Sequence, residues 1–197
     1  MDTSNNQIKI LVWPSKKRDL ESIDRDGHVE LLLLNKCVGF FADSTTPPIP
    51  RTRDIYKRGC KGEFRVLPLA EVELWYFTRA CEEYEEDKIH PNKNRKCPPL
   101  WFFSFKASDE SIQKISDFLE SKIHNPPRYV YHADKPGCHN CQTISREALA
   151  VSGIFKEPSF TSALPDDLLD LLLKKKDIDS RIIEAKKTHL TYPSFVE

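Results

Sequence analysis

The chain has 197 residues, 39% of them hydrophobic, enough for one domain to bury a core without metal or disulfide staples. Thirty basic and thirty acidic side chains cancel, which removes the general electrostatic case for a nucleic-acid or anionic-membrane partner. No apolar run approaches the ~20 residues of a membrane helix, and "MDTSNNQIKILVWPSKK" lacks the basic start and apolar segment of a secretory leader. A protein without a membrane span, cytoplasmic as synthesised and with reduced cysteines, is therefore expected.

In chain order, "QIKILVW" (Gln7 to Trp13) alternates and stops at Pro14, so it predicts a strand. "GHVELLLL" (Gly27 to Leu34) is short and increasingly apolar, as a strand buried on both faces would be. "KCVGFFAD" (Lys36 to Asp43) follows after a link short enough for a hairpin. Residues Ser44 to Phe64, rich in proline and carrying Arg51, Arg53 and Arg58, read as one long surface loop suited to overhanging a cleft. "VELWYFTRACEEYEED" (Val72 to Asp87) fits either a strand running into an acidic helix or a helix throughout.

"PLWFFSF" (Pro99 to Phe105) predicts an aromatic core strand. Ser108 then offers an N-cap, with Asp109 and Glu110 in the first turn and Ile112, Ile115, Phe118, Leu119 and Ile123 on one helical face. "NPP" (Asn125 to Pro127) ends that helix, and "RYVYH" reads as extended. A further helix beginning at Cys141 puts Ile144, Ala148 and Val151 on one face and stops at Gly153. A C-terminal helix at about 165–176 has Pro165 at its start, acids first and lysines last. The expected fold is α+β: a single domain over residues 1–197 with a small, mostly antiparallel sheet and packed helices.

The chemistry concentrates in "YHADKPGCHNCQTISREALAVSGI" (Tyr131 to Ile154). Cys138 and Cys141 have the spacing of a zinc knuckle or a redox pair. The only local additions are His132 and His139, and no second C-x-x-C or H-x₃₋₅-H exists to complete a closed zinc site. A non-enzymatic zinc-binding protein using Cys138 and Cys141 is the competing class. The third reading concerns Cys141 alone, on the first turn of a helix, where unpaired backbone N–H groups and the helix dipole favour a thiolate. No metal or organic cofactor is implied by that reading.

A thiol nucleophile needs a histidine to take its proton and return it to a leaving group. His28, at the mouth of the second predicted strand and preceded by Gly27, fits that need. If Asn35 and Lys36 form a two-residue turn, Leu34 faces Cys37 and His28 pairs directly with Asp43, which would hold the imidazole. A longer loop would slip that register and leave Glu30, on the same face as His28, as the substitute.

"GHVELLL…VGFFAD", followed much later by "NPPRYVY…HNCQTISREALAVSGI", resembles the circularly permuted branch of the NlpC-like and papain-like thiol hydrolases, relatives of lecithin:retinol acyltransferase. The resemblance covers about half of the chain, and in that branch the histidine strand precedes the nucleophile helix. It implies a permuted papain-like core with a Gly27–His28 pair, an Asn140–Cys141 pair, and an oxyanion-side tyrosine at Tyr131, or at Tyr129. The implied activity is cleavage of a peptide or isopeptide amide through an acyl-enzyme, with a peptide, peptidoglycan or protein as substrate. A peptidoglycan amidase or endopeptidase, or an effector exported without a signal peptide, would fit it. An acyltransferase or thioesterase on the same Cys-His site is the alternative.

Overall fold

The computed structural model describes residues 7–13, 27–34, 36–43, 58–72, 100–131, 133, 137–154, 165–175 and 179–183. Six antiparallel strands form its centre: β1 (Gln7–Trp13), β2 (His28–Leu33), β3 (Lys36–Ala42), β4 (Cys60–Pro68), β5 (Leu100–Lys106) and β7 (Asp179–Ile183), in the order β4-β3-β2-β1-β5-β7. The two-residue strand β6 (Arg128–Tyr129) extends the β4 edge, pairing Tyr129 with Cys60 and Arg128 with Lys61. Three helices, α1 (Asp109–His124), α2 (Cys141–Val151) and α3 (Pro165–Leu173), complete the α+β arrangement, and a helical segment at 69–72 follows β4. Among the described residues no helix is long and apolar enough to cross a membrane.

Strand alternation sorts the apolar side chains into two layers. Ile8, Ile10, Val12, Val29, Leu31, Leu33, Phe40, Phe103 and Phe105 meet Ile112, Ile115 and Leu119 of α1, Ile144, Ala148 and Leu149 of α2, and Leu168, Leu169 and Leu172 of α3. Leu11, Leu32, Cys37 and Phe102 point the other way and are covered by Val72. Each fully buried Leu, Ile or Phe contributes roughly 1.5–3 kcal/mol, so the helical layer holds the larger share of the burial energy. Helix α1 begins as its sequence predicts, with Ser108 Oγ accepting from the Ser111 N–H at 3.1 Å. Helix α2 differs: Ile144 and Ala148 are buried, but Val151 is 42% exposed, and the remaining apolar packing comes from Leu149. Its C-terminus runs through Gly153 at φ 83°.

Two expectations about the β2–β3–β4 region are corrected. The segment Cys60–Phe64, expected to close the long loop, is the first part of β4, zipped to β3 from Ala42↔Gly62 to Lys36↔Pro68. Residues 44–57 of that loop, with Arg51 and Arg53, lie outside the described residues, as do residues 73–87 of the ambiguous segment. The hairpin register also differs. Leu33 pairs with Lys36, Leu32 with Cys37 and Glu30 with Gly39, so Lys36 joins the ladder and the loop opens at Leu34, whose φ is 49°. Primed hairpin turns require such a left-handed residue at that position.

Leu34 is 69% exposed and gains nothing from packing to offset the ~1–2 kcal/mol cost of left-handed backbone in a non-glycine residue. Leu34→Gly should therefore raise unfolding stability by roughly 0.5–1 kcal/mol in urea titrations, despite the greater freedom of glycine in the unfolded chain. A loss of stability would show that the turn does not hold this conformation.

Candidate active site

Helix α2 starts where its capping chemistry dictates. Asn140, buried and extended, accepts the Thr143 N–H on Oδ1 at 2.9 Å, while its own N–H donates to Thr143 Oγ1 at 2.8 Å. This reciprocal box satisfies two groups that would otherwise be orphaned at a helix start, and it makes Cys141 the first helical residue. The amide of Asn140 also donates to the Tyr131 carbonyl at 2.9 Å. Next to it, the Val130 N–H donates to the His139 carbonyl at 2.8 Å, forming a parallel bridge between Tyr129 and His139. The segment carrying the thiol is thus laced to β6, and through β6 to the sheet.

The same lacing bears on the C-x-x-C spacing, since Asn140 between the two cysteines is extended. Cys60, Cys138 and Cys141 form no disulfide. His139 turns to α2, its Nδ1 lying 3.3 Å from Glu147 Oε1, and Lys122 Nζ of α1 lies 3.6 Å from Glu147 Oε2. Burial pushes the Glu147 carboxyl up, but His139 and Lys122 outweigh it and hold the group below its ordinary range. Among the described residues no three His, Cys, Asp or Glu side chains are grouped to hold a metal; His132 lies outside those residues.

His28 opens β2 and pairs with Trp13 at the end of β1. Alternation turns it, with Glu30, to the side away from Val29 and Leu31, and it meets Cys141 at the end of the sheet, where β2 and α2 both begin. Its imidazole interacts with the Cys141 side chain and with Glu30, whose Oε1 is 3.5 Å from Nε2. Burial alone would drive the imidazole to lose its proton; the Coulombic attraction of Cys141 and the hydrogen bonds to Cys141 and Glu30 prevail, raising its pKa from 6.5 to about 9. Glu30 reaches this position because it crosses Gly39, its direct partner on β3: a β-carbon there would lie 2.8 Å from Glu30 Oε1 and 2.6 Å from the Phe41 ring.

The expected opposition of His28 and Asp43 is not what forms. Continuing the observed register sets Phe41 opposite His28, and the two rings stack with centroids 4.3 Å apart at 23°. Asp43, 4% exposed, lies 3.5 Å from Lys61 Nζ, and its N–H donates to the Lys61 carbonyl at 2.8 Å. The physical reason is the turn: opening the loop at Leu34 moves every pairing by two residues, which preserves the face of each side chain but changes its partner. Of the two tyrosines, Tyr129 is built into the core against Phe40, with centroids 5.4 Å apart, while Tyr131 sits where its carbonyl receives Asn140.

Two residues beside the pair were not singled out from the sequence. Gly39 interrupts an otherwise apolar strand, a pattern that marks close approach by another group, yet the group is identifiable only once the register is known. Gln142, adjacent to Cys141, is fully buried, and neither end of its amide is hydrogen-bonded. Compared with known protein families, curated proteins and solved structures, the chain finds no match.

The raised His28 pKa has a signed consequence. The folded chain holds this proton more tightly than the unfolded chain, so the contribution to stability is complete below about 6.5 and is lost as pH rises through about 9. The stability difference between wild type and His28→Gln in urea melts should accordingly shrink between those limits, and a difference that grows with pH would contradict the assignment. Separately, Asn140→Ala should cost about 1–2 kcal/mol from the cap, with a further loss from the unmatched Tyr131 carbonyl; a change under about 0.3 kcal/mol in the same melts would show that the lacing carries little.

Proposed function

We propose that this chain is a cysteine-dependent hydrolase of the permuted papain-like, NlpC-like kind, cleaving a peptide or isopeptide amide through a covalent acyl-enzyme. The observation that carries this reading is the electrostatic pairing of His28 with Cys141, assembled from an early strand and a late helix with Glu30 beside the imidazole. Histidine strand first and nucleophile helix last is the permuted order. Cys141 is only 5% exposed, and a site drained of water strengthens the interactions between its charged groups.

In this reading Cys141 Sγ bonds to the scissile carbonyl carbon while the proton of the pair stays on the His28 imidazole. The carbonyl π electrons move to oxygen, where the Cys141 backbone N–H at the helix start and the Tyr131 hydroxyl receive the charge. Collapse breaks the C–N bond, and His28 returns the proton to the departing amine. Water, deprotonated by His28, then attacks the thioester and releases a carboxylic acid and the thiol. Glu30 keeps the imidazole oriented and stabilises its protonated form, the part first assigned to Asp43. Peptides, proteins and peptidoglycan stems all offer the required bond, and delivery as an effector is compatible with it.

The test is turnover of a mixed library of peptide and peptidoglycan-stem amides by the full chain, with quenched intact-mass detection of an acyl adduct on Cys141. Cys141→Ala and His28→Ala should each reduce turnover by at least about 10³-fold, and the double variant by little more, because the two act as a unit. Turnover that survives Cys141→Ala would end the proposal.

A further inference from the structure

The His28 imidazole does not stand alone on its side of the sheet. Strand β3 lies between β2 and β4, so the Phe41 ring that stacks on His28 from one neighbour also receives a side chain from the other: Arg65 Cζ is 4.6 Å from the Phe41 centroid. Arg65 Nε donates to Glu63 Oε1 at 2.8 Å, and Nη2 reaches the same oxygen. Glu63 is the direct partner of Phe41 on β4, and Arg65 that of Gly39. The missing side chain at Gly39 is what leaves room for Glu30 and Phe41.

We propose that Phe41 and the Arg65–Glu63 pair are positioning residues for the His28 base: the ring fixes the plane of the imidazole, and the ion pair beyond it sets the field in which that imidazole changes charge. This rests on the thiol-hydrolase reading above. The ring torsion of histidine is broad and roughly two-fold, so nothing intrinsic keeps one nitrogen toward Glu30 while the ring addresses Cys141. A nearly parallel aromatic neighbour narrows that torsion. The electron-rich face of Phe41 attracts the imidazolium but is shared with a guanidinium, and Glu63 offsets the guanidinium charge. Among the described residues, the charged and titratable groups on the His28 side are Cys141 from α2, Glu30 from its own strand, and Arg65 with Glu63 across the ring. The Asp43–Lys61 pair lies farther along β3 and β4, and β1 contributes the uncharged Trp13.

Opposite signs distinguish this role from a merely structural one. In ¹⁵N-labelled full chain, with its six histidines resolved by comparison with His28→Gln, the His28 ring signals are followed against pH. Arg65→Met leaves Glu63 uncompensated and should raise the midpoint by about 0.3–0.5 pH units; Glu63→Gln should lower it by a similar amount, small because both groups are partly solvated. Phe41→Leu should lower the midpoint by about half a unit or more as the coupling to Cys141 and Glu30 loosens, and Phe41→Tyr should restore it to within about 0.1 unit. Shifts of the same sign in Arg65→Met and Glu63→Gln, or none, overturn the proposal, as does a wild-type midpoint in Phe41→Leu. Should Phe41→Leu fail to fold, the two β4 variants decide. Cys141→Ala separates the failures: if it leaves the His28 midpoint where it was, the catalytic pair falls; if it moves the midpoint while both β4 variants do not, only the positioning role falls.

Discussion

An imidazole withdrawn from water ordinarily surrenders its proton, because burial penalises the charged form. His28 is nearly buried and yet keeps its proton to about pH 9, since the Cys141 side chain and the Glu30 carboxylate both face it. Much of the surrounding structure serves that arrangement. Gly39 leaves room for the carboxylate, the Phe41 ring supports the imidazole, and the Asn140 box fixes the helix start so that the sulfur is presented by its first residue. Loss of any one would leave a buried group without its counterpart, and an orphaned buried charge is among the costliest defects a core can carry.

The location of the pair follows from topology. Strands β1 and β2 bring Trp13 and His28 to one end of the sheet, and Asp43, Lys61 and Cys60 arrive at the same end from β3 and β4. Strand β6, only two residues long, ties the Cys141 segment to that rim. Other side chains near that rim make contacts of their own. Cys60 has its thiol pushed up by burial, against the Asp43 N–H that favours the charged form; the higher its pKa, the smaller its reactive fraction. Asp43 answers Lys61, and His139 answers Glu147.

How much of this could be read from sequence depended on whether the signal was local. Helix α1 was legible because Ser108, the acidic first turn and the spacing of Ile112, Ile115 and Leu119 all lie within one segment. The same holds for β1, for Pro165 opening α3, and for Gly153 closing α2, whereas the Asn140 cap emerged only with the structure. Strand β4 was not legible, because "CKGEFRVLP" mixes charges and glycine with few apolar residues: its outer side carries Lys61, Glu63 and Arg65. Strand β7, five residues held by pairing with β5, gave no periodic pattern. Cys141 and His28 stood out by residue type and position. Their surroundings did not, since whether Asp43, Glu30 or Phe41 lies near His28 turns on the backbone conformation of Leu34 in one short loop. Glu30 survived because its relation to His28 lies within a single strand and is independent of register.

The central proposal is that Cys141 is activated by His28 although only Cys37 is more buried among the described thiols. Limiting iodoacetamide at about pH 6, where an isolated thiol is almost wholly protonated and slow, followed by mass-spectrometric peptide mapping, tests it most directly. Among the described cysteines, exposure alone would direct alkylation to Cys138 or Cys60, which are more accessible than Cys141. The account predicts that Cys141 is labelled first in the native chain and loses that priority in His28→Gln. First labelling of Cys138 or Cys60, with Cys141 unmodified in both forms, would contradict it.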